Sequence, residues 1–228
     1  MSRVIIELKK VNCFYPMKGD VPFHAVKDVS LEVFEGEILG LMGESGSGKT
    51  TLAKAMLGTF PGCQGEIIFK DQNIYEKNWR RKKIKPIQMV MQDSKSSMNP
   101  RMTLFESMEE PLLLSGAKDP LKRQAKVKEV CELVGLDLSI ASKLPGECSG
   151  GQRQRANIGR ALVLSPELLL LDEPVSSLDA SIQAQIINLL RKISKETNTA
   201  MVFISHDEKL LSYLCPRILS MCDGMILS

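Results

Sequence analysis

Apolar residues recur along this chain in two rhythms. Near the N-terminus, Val4 to Leu8, Val29-Ser30-Leu31-Glu32-Val33 and Gly65-Glu66-Ile67-Ile68-Phe69 alternate apolar with polar positions between turn residues, which predicts strands. The run Glu37-Ile38-Leu39-Gly40-Leu41-Met42 is continuously apolar after its Glu and predicts a strand buried on both faces of a parallel sheet. It feeds a glycine-rich loop and then Thr51-Leu52-Ala53-Lys54-Ala55-Met56-Leu57, a helical pattern stopped by Gly58. From about Ser94 to Gln152 the character changes to helix with frequent breaks, and Lys122 to Val134 sets Ala125, Val127, Val130 and Val134 among charges before Gly135. Beyond Gly151 the α/β rhythm returns. Ala156 to Leu164 reads as helix, Leu168 to Asp172 as buried strand, Ser181 to Lys195 as helix and Ala200 to Ile204 as strand. The pattern predicts an α/β protein with a parallel-sheet core, an N-terminal antiparallel β subdomain and a helical insertion.

Composition narrows the class. A chain of 228 residues holds one large domain or two small ones, and 43% hydrophobic content supports a globular core. The net charge of +3 is small, which argues against a nucleic-acid binder. The densest basic run, Arg80-Arg81-Lys82-Lys83-Ile84-Lys85, reads as a solvated loop or helix end. No apolar stretch approaches the roughly 20 residues that span a bilayer. Glu7 and Lys9-Lys10 interrupt any N-terminal signal core. The expectation is a soluble, cytoplasmic protein, so any membrane it serves must be crossed by a partner. Cys13, Cys63, Cys131, Cys148, Cys215 and Cys222 form no CxxC pair or ligand cluster and read mostly as reduced, buried small hydrophobes.

The candidate chemistry lies in short segments at the predicted strand ends. In Gly43-Glu44-Ser45-Gly46-Ser47-Gly48-Lys49-Thr50, glycines let the backbone turn tightly and approach phosphate oxygens. Consecutive amides there form an anion nest at a helix N-terminus. Strand, glycine loop and helix in that order are the context of a P-loop. Gly43, Ser45, Gly46, Ser47 and Gly48 would cradle a nucleotide's phosphates, and Thr51 extends that segment. Lys49 would reach the β- and γ-phosphates, and the Thr50 hydroxyl would ligate Mg²⁺. Leu168 to Leu171 delivers two acids at a buried strand's carboxyl end. Asp172 would hold Mg²⁺, directly or through water, and Glu173 would polarise the attacking water as general base. Ser149-Gly150-Gly151-Gln152 has the look of a helix start, and in isolation would be only a flexible turn. His206 follows an apolar strand between Ser205 and Asp207, where a neutral imidazole could hydrogen-bond a γ-phosphate. Tyr15 precedes Pro16, and its ring could stack on adenine or simply pack in the core, with Phe14 as the competing aromatic.

Taken together, the P-loop, Ser149-Gly150-Gly151-Gln152, Leu168 to Glu173 and Ser205-His206-Asp207 resemble the ATP-binding-cassette family over nearly the whole chain. That resemblance implies a P-loop NTPase (RecA-like) core over 1–92 and 153–228, with a helical subdomain over 93–152, in one cassette domain. It implies an ATPase using ATP and Mg²⁺, working as a nucleotide-sandwiched dimer in which Ser149, Gly150, Gly151 and Gln152 face the nucleotide held by the opposite subunit. Gln92 would sense Mg²⁺ and the nucleophilic water, and His206 would position Glu173 and water. Asp179, in Ser176-Ser177-Leu178-Asp179, would couple the two sites across the dimer.

Two longer stretches narrow the resemblance further. Gln88 to Asp93 with Ser97-Met98-Asn99-Pro100-Arg101-Met102-Thr103, and Glu173 to Gln185, are similar to ATPases of oligopeptide, dipeptide and nickel importers, a group that includes importers of metal chelates. Members pair two non-identical ATPase subunits beneath two transmembrane permeases fed by an extracellular binding protein. The implied location is the inner face of the cell membrane, as a peripheral cytoplasmic subunit. Three departures stand out. Cys148 replaces the usual Leu before Ser149, which should alter packing more than catalysis. Met91 replaces a common aromatic, where a flexible thioether could fill the same space. The chain stops at Ser228, soon after the last predicted strand, without the cysteine-bearing C-terminal extension of many peptide-importer ATPases. Two rival readings are a soluble accessory ATPase, as in the phosphonate carbon–phosphorus lyase system, and a chromosome-maintenance ATPase. The latter needs a long coiled coil, and the insertion lacks sustained heptads.

Overall fold

Alternating and continuous apolar runs become strands, and capped runs become helices, in the computed structural model, which describes residues 3–17, 21–82, 84–92 and 97–227. In chain order these are β1 (Val4–Tyr15), β2 (Phe23–Phe34), β3 (Ile38–Met42), α1 (Lys49–Met56), β4 (Cys63–Phe69), β5 (Gln72–Asn73) and α2 (Lys77–Arg80). Next come β6 (Ile87–Val90), α3 (Leu104–Leu114), α4 (Pro120–Val134), α5 (Leu138–Ala141), a 3-10 turn at Pro145–Glu147, α6 (Gly150–Leu162), β7 (Leu168–Asp172) and α7 (Ala180–Thr197). Then follow β8 (Ala200–Ser205), α8 (Glu208–Leu214), β9 (Arg217–Cys222) and β10 (Met225–Leu227). The described residues divide into two compact units, 1–82 with 199–228, and 83–198.

The first unit contains an antiparallel sheet in the order β2-β1-β4-β5. β1 continues well past Leu8, through the Lys9-Lys10 charges, because Lys10 at φ 48° forms an irregularity that lets the strand carry on in a new register. Gly65 of β4 faces that kink at φ +89°, where a Cβ would meet the Lys9 carbonyl at 2.6 Å, so only glycine fits. In the same unit β3 lies between β8 and β9, parallel to both, with β10 antiparallel on β9. Ile38 to Leu41 and all of β8 are buried, as the continuous apolar runs predict. Arg217 grips Glu37 with two bonds of 2.8 and 3.0 Å, fixing the start of β9 against the residue preceding β3. The strand at 200–204 is therefore not the last: α8, β9 and β10 follow it. The basic run is a solvated helix end where it is described, with Lys82 over the Trp79 ring at 4.5 Å, while Lys83 lies outside the described residues.

The second unit pairs β6 with β7 in parallel and packs helices α3, α4 and α6 together. Thr103 and Glu106 form a capping box at α3, and the Thr103 amide and hydroxyl hold the Glu106 carboxyl below its usual range. Asp119, Pro120 and a left-handed Gly135 bracket α4. Arg160 joins Glu110 at 2.7 Å and Arg123 joins Glu109 at 2.8 Å, linking α6 and α4 to α3. Among the described residues no helix is long and apolar enough to cross a membrane.

Candidate nucleotide site

The P-loop hangs between β3 and α1 in the first unit. Gly48 caps α1 at φ 106°, without a side-chain cap bond. Its backbone presses on β2: a Cβ at Gly48 would lie 2.5 Å from the Ala25 carbonyl. The Gly224 amide bonds the Ser47 carbonyl at 3.0 Å, while the Gly224 carbonyl accepts from the Lys27 amide at 2.8 Å. The loop is thus braced by β2 and by the β9–β10 turn. The Lys49 amine donates to the carbonyls of Gly43 (2.7 Å) and Glu44 (2.6 Å) and to Ser47 Oγ (3.3 Å). Lys49 and Ser47 are buried, whereas Ser45, Gly46 and Thr50 are exposed at the mouth of the loop. A Cβ at Gly46 would meet nothing within 4 Å, so that side of the loop is open.

Tyr15 joins this constellation. Its hydroxyl lies 3.2 Å from Thr51 Oγ1 and its ring meets Phe60 edge-on at 5.0 Å, with 38% of the residue exposed beside the loop. Phe14 stacks instead on His24 at 4.2 Å, and His24 bonds Asn12 at 2.8 Å. Tyr15 is thus the aromatic whose hydrogen bond reaches the segment after the P-loop lysine. His206 comes to the same sheet edge, because Met42 pairs with Ser205 in parallel register and each strand then turns out of the sheet. Ser205 Oγ accepts the Asp207 amide at 3.0 Å and Asp207 caps α8, so the turn that carries the exposed His206 ring is held on both sides.

The second unit, by itself, uses the same device at its own strand ends. Val90 pairs with Leu171 in parallel register, so Gln92 and Glu173 each stand two residues beyond a paired position on one sheet edge. Asp172 is 5% exposed, the last buried residue of β7. Glu173 adopts φ 47°, which turns the chain sharply out of the strand, and its carbonyl accepts from the Ser176 hydroxyl at 3.1 Å. Asp179 caps α7 through the Ile182 amide at 3.2 Å. Gln183, one turn into α7, donates to the carbonyls of Val175 (3.1 Å) and Leu178 (3.0 Å) and so fixes the loop after Glu173.

Ser149 caps α6 with a reciprocal pair: its Oγ accepts the Gln152 amide at 3.3 Å, and its amide donates to Gln152 Oε1 at 2.8 Å. The glycines that follow meet the loop just described. A Cβ on Gly151 would stand 2.7 Å from Ile182, and one on Gly150 3.1 Å from Leu178. The segments 149–152 and 178–182 are therefore brought together. Cys148 is buried, its thiol donating to the Leu144 carbonyl at 3.4 Å, and burial pushes that thiol's pKa up. Arg153 also bonds the carbonyls of Pro145 and Cys148. Met91, the residue before Gln92, is 48% exposed. Sequence reasoning missed Ala25, Gly224, Arg153 and Gln183, which act by bracing. Only Gln183 left a trace, four residues after the capping Asp179 on the same helical face.

A braced glycine loop leading into a helix whose cap is a glycine is the hallmark of a nucleotide-binding P-loop. The chain belongs to the ABC transporter family, which its residues 26–176 match. It is 42% identical over 228 residues to the oligopeptide transport ATP-binding protein AppF of Bacillus subtilis, covering 95% of this chain and 69% of that one. It is also 42% identical over 238 residues to the oligopeptide transport ATP-binding protein OppF of Haemophilus influenzae, covering 98% and 70%. The fold is similar to that of the ATP-binding cassette MJ0796, solved as a dimer in a post-hydrolysis state with ADP and Pi. There the TM-score is 0.84 at 29% identity, with 98% of this chain and 97% of that one covered.

Proposed function

We propose that this chain is the ATP-hydrolysing subunit of an importer for oligopeptides, working as one half of a two-cassette assembly beneath membrane-spanning permeases. Its likeness, over nearly its whole length, to ATP-binding proteins of oligopeptide transport carries the reading. The residues suit that work. Lys49 and the P-loop amides hold the triphosphate, Tyr15 supports adenine, and Glu173 orients and deprotonates the attacking water. His206 steadies that water and the terminal phosphate, and Gln92 links the site to residues 93–152, the proposed grip on the permease.

Thr50, Gln92 and Asp172 offer a hydroxyl, an amide oxygen and a buried carboxylate. That all-oxygen set fits a hard divalent ion, and we assign these residues to Mg²⁺, which would neutralise phosphate charge. Ser149 faces the nucleotide of a second cassette, a paralogue of this chain. Its Oγ accepts from Gln152 and still carries a proton to donate to a phosphate oxygen. Asp179, at the start of α7, lies beside the loop that would cross to that partner. An extracellular binding protein would deliver peptide to the permeases, and this chain would lie on the cytoplasmic face of the membrane.

The test uses the Glu173→Gln variant, which should bind ATP, stop turnover and freeze the closed assembly. Purified through this chain from detergent-solubilised cells in ATP, it should bring down two multispanning permeases and a related cassette. A water-soluble enzyme complex without a membrane subunit would replace the importer by the accessory-ATPase reading.

A further inference from the structure

Cys13 of β1 and Cys63 of β4 are direct partners across the antiparallel ladder, and their sulfurs lie 3.8 Å apart. Both are free thiols, Cys13 buried and Cys63 partly open to solvent. Directly opposed residues in such a ladder have Cα atoms roughly 4.5–5.5 Å apart, within the roughly 4.4–6.8 Å range that a disulfide spans. That backbone spacing is compatible with closing the remaining distance by side-chain rotation.

The two thiols are also unequal in the way exchange chemistry needs. The Cys13 thiol donates to the Cys63 sulfur, the main influence lowering the Cys63 pKa to about 7, with a smaller contribution from Tyr75. The same bond, with burial, pushes Cys13 well above its usual range. Cys63 is thus the accessible nucleophile and Cys13 the protected resolving group. The other two buried thiols with strong shifts, Cys131 and Cys215, are pushed up to about 11 and about 12 by desolvation.

We propose that Cys13 and Cys63 form a modification site, a dithiol that low-molecular-weight disulfides convert reversibly into a cross-strand disulfide. The Cys63 thiolate attacks one sulfur of the small disulfide, whose S–S bond breaks and releases one thiol carrying a proton from solvent. Cys13 then gives up its proton and its sulfur attacks Cys63 Sγ, expelling the second small thiol. Two hydrogens leave the protein and one small disulfide is reduced to two thiols. The bond would tie β1, two residues before Tyr15, to β4, three residues after Phe60, which meets the Tyr15 ring.

The experiment equilibrates the full chain, carrying Cys222→Ser to remove the exposed thiol, with mixtures of reduced and oxidised glutathione. Non-reducing peptide mapping then follows. The expected result is a Cys13–Cys63 cross-linked peptide that rises with the oxidised fraction and is lost on returning to reduced buffer. Cys13→Ala should leave Cys63 as a stable mixed disulfide, and Cys63→Ser should abolish modification of Cys13. No cross-link at any ratio, with Cys63 either untouched or held as a mixed disulfide in the chain that retains Cys13, would overturn the proposal.

Discussion

Two glycine-bearing segments run into helix N-termini in this molecule, and they satisfy those termini in opposite ways. At α1 the cap is Gly48, left-handed at φ 106°, with no side-chain acceptor. At α6 the cap is Ser149, in extended backbone at φ −66° and ψ 162°, closed by a reciprocal bond with Gln152. A helix start presents amides that lack intrahelical acceptors. The Gly48 cap offers them no side chain, which suits an anion as their partner. The segment at Ser149 meets its own need first and keeps a hydroxyl proton to lend. On the proposed reading, one helix start would hold a nucleotide and the other would touch one from a finished surface.

Their glycines differ in the same sense. Gly48 is required by backbone conformation and by the Ala25 carbonyl behind it. Gly151 has no positive φ and is required by packing, since Ile182 occupies the place of a side chain. The first requirement preserves a loop. The second keeps residues 149–152 against the loop that follows Glu173, so a shift in one segment is felt in the other.

Among changes to the two helix starts' capping residues, the largest effect should come from Gly48→Ala. A left-handed backbone costs a non-glycine residue about 1–3 kcal/mol, before the backbone oxygen at 2.5 Å is relieved. ATP affinity measured by equilibrium titration should fall by roughly 100-fold or more, equivalent to about 2.7 kcal/mol. Near-normal affinity would mean that the loop tolerates another shape. Ser149→Ala should lower stability by about 1 kcal/mol through the lost cap, read from denaturant midpoints, while turnover of the assembled cassettes falls more steeply. Equal losses in the two readouts would reduce Ser149 to a cap. The smallest change belongs to Gln152→Ala, which removes one exposed bond of 2.8 Å and should cost about 0.5 kcal/mol with the hydroxyl left in place.

Continuity made much of this legible in advance. Ile38 to Met42 and Leu168 to Asp172 announced themselves as strands because nearly every position is apolar, and the chemistry sits where those runs stop. What escaped was structure without a clean period. β9 is half-buried for four residues in succession, so neither alternation nor an apolar run marks it. α3 carries Pro111 inside it, which reads as a breaker although the helix continues to Leu114. The bracing contacts were hidden for another reason. Ala25 and Gly224 act on the P-loop through backbone groups, and a carbonyl's target is set by tertiary position, not by residue type.

The most direct measurement is calorimetric titration of ATP into the isolated chain carrying Lys49→Ala or Ser149→Ala. Lys49→Ala should lose measurable binding, while Ser149→Ala should bind within about twofold of the unaltered chain, a difference under about 0.5 kcal/mol, if its target is, as proposed, a nucleotide held by another cassette. Comparable loss of affinity in both variants would place Ser149 on the nucleotide of its own chain and contradict the division of labour between the two helix starts.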